Sequence, residues 1–126
     1  KLKMTEEQKY FALIATGDDD MAGEIAGALQ DHTHFIINTA SRGDQALRLL
    51  HDYQYDLLIS DVDLVEYSGI QLSRWVMENS KETKVILLAE YPGDTVDAEI
   101  DGVEKVFEKT EAEKEGFAEK VFSCMG

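Results

Sequence analysis

Short apolar runs recur along the chain, separated by segments of a different pattern. The five runs cover residues 10–15, 35–37, 56–61, 85–89 and 103–107. They lack the regular polar alternation of a half-buried strand, and a strand buried on both faces has this continuous apolar pattern. We therefore predict a buried β-strand at each run.

The segments between the runs have the spacing of helices. Ala22, Ile25, Ala26 and Leu29 follow the first run at intervals that place them on one helix face. Three later stripes also predict helices: Ala46, Leu47, Leu49, Leu50 and Tyr53; Leu72, Trp75 and Val76; Phe117, Ala118, Val121, Phe122 and Met125. Residues 94–100 predict a weaker, shorter helix after the Pro-Gly pair at 92–93.

Alternation of strands and helices predicts an α/β fold in which helices cover both faces of a parallel sheet. Since the crossovers in such sheets are right-handed, five units favour a doubly wound, flavodoxin-like (βα)5 sheet of order 2-1-3-4-5. The length of 126 residues fits one domain. We expect that domain to span residues 1–126, with its core at about residues 9–125.

Acidic residues follow the two strands between which the predicted order reverses. Three aspartates at 18–20 follow the first strand, and Asp61 and Asp63 follow the third. Ligands of open parallel sheets bind beyond the carboxyl ends of the strands at this reversal. Clustered carboxylates repel one another unless a cation joins them. A Mg²⁺ ion, which prefers oxygen ligands, and the ammonium group of Lys109 after the fifth strand are the candidate cations.

These residue types suit phosphoryl transfer. Asp61 is the candidate nucleophile that would form an acyl phosphate, while the metal and Lys109 would neutralise phosphoryl oxygens. Each residue also has a structural interpretation. The acids at 18–20 could cap and begin the first helix, and Lys109 could be a solvated lysine.

The composition narrows the classes of function. A net charge of −14 disfavours direct binding to nucleic acid, because the chain would repel phosphate backbones. The lone cysteine, Cys124, suits a reducing compartment. No apolar run approaches the roughly 20 residues of a membrane span, and the first residues lack a secretory pattern. We therefore expect a cytoplasmic protein that is not membrane-bound.

Four stretches, residues 43–47, 55–69, 85–91 and 102–109, resemble the receiver domain of bacterial response regulators. The resemblance covers about residues 9–125. Its strongest feature is Asp61 at a strand tip followed eight residues later by Gly69, before a helix. Gly43 before the second helix also matches. The family's fold is the flavodoxin-like one predicted above.

The resemblance implies a role for each site residue. Asp61 matches the phosphorylated aspartate, Lys109 the lysine that contacts the phosphoryl group, and Asp63 the position whose backbone carbonyl binds Mg²⁺. The family's acidic metal-binding pair falls near Gly17-Asp18. Asp18 is then the predicted metal ligand, with Asp19 as the second choice.

A shift of one residue would instead put Thr16-Gly17 at the acidic pair, leaving no acid in register. Other positions depart from the family in either register. Ala89 replaces the switch serine or threonine, Glu90 replaces a small residue, and Val106 replaces the switch aromatic. Val65 and Thr110 also stand where the family usually has prolines.

Three hypotheses follow. The first is a receiver, not a turnover enzyme, that accepts a phosphoryl group from a histidine kinase or phosphotransfer protein and signals to an output domain or protein. Such domains also pair as homodimers. The second is a pseudo-receiver that binds a partner without phosphorylation. The third is a phosphatase of the haloacid-dehalogenase type, suggested by Asp61-Val62-Asp63. It is disfavoured because that motif belongs on the first strand of such enzymes.

Overall fold

The computed structural model describes residues 9–31, 35–90 and 102–125. Its strands are β1 (Tyr10–Ala15), β2 (Phe35–Ala40), β3 (Leu57–Asp61), β4 (Lys84–Ala89) and β5 (Val103–Glu108). Its helices are α1 (Asp19–Gln30), α2 (Gly43–Asp52), α3 (Gly69–Asn79), α4 (Lys109–Ala112) and α5 (Phe117–Met125). The helix predicted at residues 94–100 lies outside the described part. The four-residue helix α4 was not predicted, since it is too short to show an apolar stripe.

All five strands are parallel and lie in the order β2-β1-β3-β4-β5. This confirms the predicted flavodoxin-like fold. The central strand β3 is buried along its whole length, which explains its unbroken apolar sequence. Its last residue, Asp61, pairs with Leu88 of β4, so its side chain lies at the carboxyl edge of the sheet.

The two faces of the sheet form two apolar cores, because successive strand residues point to opposite sides. Ala12 and Ile14 of β1 pack with α1 and α5, whereas Leu13 and Ala15 pack with α2 and α3. The predicted stripes of α1, α3 and α5 supply buried residues on these faces. The helices therefore hold the strand ends in fixed positions.

Three apolar residues that were predicted within buried runs or stripes are exposed, and so are Glu104 and Lys105 of the fifth run, because β5 is an edge strand. Phe11 is 40% exposed, Ile36 39% and Tyr53 62%. Tyr53 follows the last residue of α2, so it does not belong to the stripe of that helix. All three apolar side chains line a groove beside the end of α2.

The described helices are short. The longest, α1, has 12 residues. Among residues 9–31, 35–90 and 102–125, no helix has the length and apolar character needed to cross a membrane.

Candidate functional site

Asp61 is the buried charged group at the carboxyl edge of the sheet, with 2% of its surface exposed. Its Oδ2 accepts hydrogen bonds from Thr16 Oγ1 at 2.8 Å and from the Gly17 N–H at 3.2 Å. Lys109 Nζ lies 3.2 Å from the same oxygen. Asp61 Oδ1 is also buried, but it has no hydrogen-bond partner in the described part of the chain. The carboxylate is therefore satisfied on one oxygen only.

Lys109 is positioned by the end of β5, since it is the first residue of α4. Its side chain is 22% exposed and extends past β4 to reach Asp61 on β3. The structure thus brings these two predicted site residues together, while the contact of Lys109 with a phosphoryl group stays a prediction. The pair places one positive and one negative charge together at the reversal point of the sheet.

Thr16 is positioned by the pairing of β1 with β2, because its N–H donates to Ala40 O at 3.0 Å. The residue is 1% exposed. Its hydroxyl donates to Asp61 and also accepts from the Asp18 N–H at 3.1 Å. Sequence reasoning considered Thr16 only as an alternative register for the acidic pair. The position of Thr16, a polar residue directly after a buried strand, was the signal in the sequence that could have predicted its contact with Asp61.

Asp18 caps helix α1, as the structural interpretation of the acids at 18–20 predicted. Its Oδ1 accepts from the Met21 N–H at 3.1 Å, and Asp19 and Asp20 lie in the first turn, where carboxylates are stabilised by the helix dipole. All three acids are exposed. Among the residues after β1, Thr16 and Gly17 contact Asp61. These two residues form the alternative pair that a shift of one residue gives in the sequence. The metal-binding roles of Asp18 and Asp19 remain predictions.

Gly69 has a steric reason for its spacing from Asp61. A Cβ atom on Gly69 would lie 2.1 Å from the backbone oxygen of Asp61 and 3.1 Å from Ser60 Oγ. Ser60 Oγ also donates to the backbone oxygen of Asp61 at 2.9 Å. The start of α3 is therefore packed directly against the backbone of the site aspartate, which leaves room for glycine alone.

Gly43 holds the loop between β3 and α3 in a similar way. Its N–H donates to Val65 O at 2.7 Å, and a Cβ atom would lie 1.7 Å from Tyr67 O. In the same loop, Asp63 is exposed and Glu66 adopts a positive φ of 77°. The loop that follows Asp61 is thus fixed against the start of α2.

The two residues that the resemblance assigns to the switch positions lie in β4 and β5. Ala89 ends β4 and is fully buried, and Val106 of β5 is partly buried against the core on the α2 and α3 face. Glu90, directly after Ala89, is exposed. Neither switch position offers a hydroxyl or an aromatic ring toward Asp61.

The donor set does not fit a preformed Mg²⁺ site. No group of three or more His, Cys, Asp or Glu residues within the described ranges could hold a metal ion. Asp61 Oδ1 is a buried oxygen without a partner in the described part of the chain, but the residues after β1 that contact this carboxylate, through Oδ2, are a threonine and a glycine. Divalent cations of this type need several oxygen ligands, and carboxylates neutralise their charge.

The chain is similar to solved receiver structures over most of its length. A DNA-binding response regulator of the LuxR family from Staphylococcus aureus has a TM-score of 0.80 at 18% identity, with 93% of this chain and 99% of that chain covered. The receiver domain of the putative regulator NarL from Mycobacterium tuberculosis has a TM-score of 0.78 at 19% identity, with 94% and 97% covered. TrrA from Thermotoga maritima, solved with Mg²⁺ and BeF, has a TM-score of 0.77 at 23% identity, with 91% and 98% covered. These likenesses show the fold.

Sequence comparison shows the family. The chain is 27% identical over 94 residues to a protein-glutamate methylesterase/protein-glutamine glutaminase of Halobacterium salinarum, and the match covers 75% of this chain but 27% of that protein. The chain thus spans about a quarter of the length of this curated relative. The sequence profile of the response regulator receiver domain matches residues 12–119. The chain accordingly belongs to the response regulator receiver domain family.

Proposed function

We propose that this receiver domain accepts a phosphoryl group on Asp61 and that Lys109 contacts the phosphoryl oxygens. The observation that carries the proposal is the buried, unpartnered Oδ1 beside an Oδ2 that is paired with Lys109. A buried polar atom without a partner costs about 1–3 kcal/mol of stability. A site with no chemical role could avoid that cost with an apolar or fully bonded side chain.

The residues of this chain that the transfer would use, Asp61 and Lys109, lie together at this edge of the sheet, and Mg²⁺ would help to neutralise the phosphoryl oxygens. Asp61 Oδ1 attacks the phosphorus of a phosphohistidine, and the P–N bond breaks as its electron pair remains on the imidazole. Lys109 offsets the negative charge that the acyl phosphate adds. Because Oδ1 is buried, atoms around it must move before the donor can reach it.

The proposed donor is a histidine kinase or a phosphotransfer protein, and the proposed reader is an output domain or a separate protein in the cytoplasm. The sequence also predicts a weakly bound Mg²⁺ ion with Asp18, Asp61 and the Asp63 carbonyl as ligands, and with Asp19 as the second choice for Asp18. Since Asp18 caps α1 and the site has a single buried carboxylate, we expect any binding of Mg²⁺ to be weak.

Intact-mass spectrometry after incubation with acetyl phosphate tests the proposal, in parallel samples with Mg²⁺ and with a chelator. We expect one phosphoryl adduct on the wild type and none on Asp61→Asn. Glu66→Gln is the control, because it removes an exposed acid of the loop after Asp61 that has no assigned role and should keep the adduct. An adduct that survives in Asp61→Asn would contradict the assignment.

A pseudo-receiver is the second candidate, and a specific observation favours it. Thr16 and Gly17 occupy the positions beside Asp61, and Ala89 lacks the switch hydroxyl. In that case the folded wild-type protein would form no adduct under any of these conditions. Its signal would then come from constitutive binding to a partner.

A further inference from the structure

We propose that the Thr16 hydroxyl couples the charge of Asp61 to the start of helix α1, in place of the hydroxyl that Ala89 lacks. Phosphorylation as the natural trigger rests on the proposed function, whereas the coupling itself can be tested without phosphorylation. The signal from Asp61 would then leave the site on the β1 side of β3 rather than on the β4 side.

The sheet places a hydroxyl on one side of Asp61 only. Ala15, the last residue of β1, pairs with Ser60 of β3, so the residue that follows β1, Thr16, lies beside Asp61. On the other side Asp61 pairs with Leu88, and the next residue is Ala89. The hydroxyl beside Asp61 thus follows β1, whereas the family pattern described above has it at the end of β4.

Thr16 forms the middle of a hydrogen-bond chain. The Asp18 N–H donates to Thr16 Oγ1, and this hydroxyl donates to Asp61 Oδ2. Asp18 in turn caps α1 by accepting from the Met21 N–H. Because Thr16 is 1% exposed, bulk water does not compete for these bonds.

The other two groups that contact Asp61 Oδ2 cannot extend this chain. Lys109 Nζ and the Gly17 N–H are both donors, so neither accepts a hydrogen bond from α1. The hydroxyl of Thr16 can donate and accept at once. It is therefore the group through which a change at Asp61 reaches the cap of α1.

A change in the charge of Asp61 alters the acceptor strength of Oδ2. When Oδ1 carries a phosphoryl group, Oδ2 becomes the carbonyl oxygen of an acyl phosphate and loses its share of the negative charge. A hydrogen bond to a neutral oxygen is roughly half as strong as one to a carboxylate. The Thr16 hydroxyl is then free to turn toward the phosphoryl group, and its bond from the Asp18 N–H weakens.

Amide hydrogen exchange in a set of variants tests the coupling, with the amides of Asp18 and Met21 as reporters. Asp61→Asn removes the charge without phosphorylation. Thr16→Ser keeps the hydroxyl, while Thr16→Val keeps the side-chain shape and removes the hydroxyl. Each Thr16 variant is compared with and without Asp61→Asn. Thr16→Ala serves as a second hydroxyl-free variant if Thr16→Val does not fold.

We expect Asp61→Asn to accelerate exchange at these amides by about five- to tenfold in the wild-type and Thr16→Ser backgrounds. In the Thr16→Val or Thr16→Ala background the same change should add less than about twofold, because the link is already broken. Equal acceleration in all backgrounds would overturn the proposal, as would no acceleration in the wild type. A phosphoryl adduct is measured separately by mass, so the proposed function can fail while the coupling holds, and the reverse.

Discussion

Lys109 Nζ and Asp61 Oδ2 lie 3.2 Å apart at the carboxyl edge of the sheet, although 48 positions separate them in the sequence (109 − 61). The lysine side chain is 22% exposed and the aspartate side chain 3%. Loss of the lysine would leave a carboxylate that is almost completely buried without its cation. The pair therefore links the stability of the fold to the chemistry of the site.

Lys109→Met should lower the free energy of unfolding by about 1–3 kcal/mol, less than the loss for a completely buried pair because water reaches the lysine. Urea denaturation measures the change. Lys120→Met is the control, since its 3.8 Å contact with Glu111 is exposed and should contribute less than about 0.5 kcal/mol. The double variant Lys109→Met/Asp61→Asn should recover part of the loss, because no buried charge remains unpaired. A double variant less stable than Lys109→Met would contradict this account.

Gly69→Ala should destabilise the protein by about 2–4 kcal/mol, since the new Cβ would meet the Asp61 backbone oxygen at 2.1 Å. The displaced backbone of Asp61 should also reduce any phosphoryl adduct. Gly27→Ala is the matched control, because its added Cβ would have no neighbour within 4 Å in the described part of the chain apart from the backbone of its own helix and the adjacent residues. That change in the middle of α1 should stabilise the protein by about 0.5–1 kcal/mol. Equal effects of the two variants would show that crowding at Gly69 is unimportant.

Gly17→Asp should increase the affinity for Mg²⁺, because it puts a second carboxylate beside Asp61. The position can accept a side chain: the nearest atom to an added Cβ is Ser41 O at 4.0 Å. Isothermal titration calorimetry with Mg²⁺ gives the dissociation constant, and about tenfold tighter binding than in the wild type is the expected result. Gly23→Asp adds the same charge on α1 with open space around it and should leave the affinity unchanged. If Gly23→Asp tightened binding equally, general electrostatic attraction would be the cause.

Cys124 should react slowly with iodoacetamide. Burial raises the pKa of its thiol; the positive charge of Lys105 lowers that pKa and the negative charge of Glu104 raises it. Because the thiolate is the nucleophile, alkylation at pH 8 should be slower than that of N-acetylcysteine. The rate should fall further in Lys105→Met and rise in Glu104→Gln. Unfolding in urea should restore the rate of the model thiol, and a fast reaction of the folded protein would contradict the raised pKa.

The same pKa shift predicts a pH dependence of stability. The thiol is harder to ionise in the folded state than in the unfolded state, so the unfolded chain loses its proton first as the pH rises. The contribution of Cys124 is therefore complete below the pKa of the unfolded thiol, about 8.5, and is lost as the pH rises through the folded pKa. Cys124→Ser should flatten the fall in stability over this pH range, measured by urea denaturation.

The sequence by itself determined the fold and brought two candidate site residues, Asp61 and Lys109, to one edge of the sheet. Periodicity distinguishes buried strands from amphipathic helices, and the alternation of the two leaves few topologies for a chain of this length. The reversal between β1 and β3 then places Asp61 at the ligand-binding edge, with Lys109 after β5 within reach. The predicted burial of Phe11 and Tyr53 is wrong, because the apolar character of a residue does not reveal where the covering helix ends.

Only the tertiary structure decided that Thr16 and Gly17, rather than Asp18, are the residues after β1 that contact Asp61. In the sequence, Asp18 and Thr16 are both polar residues just after a buried strand. Pairing with β2 holds Thr16 in line with β1, whereas helix capping turns the Asp18 carboxylate to the Met21 N–H. The tertiary structure also explains why a glycine stands eight residues after Asp61. Gly69, at the start of α3, packs against the backbone of Asp61, at the end of β3. Local pattern predicts elements, but contacts between the ends of elements depend on register and packing, which no single segment encodes.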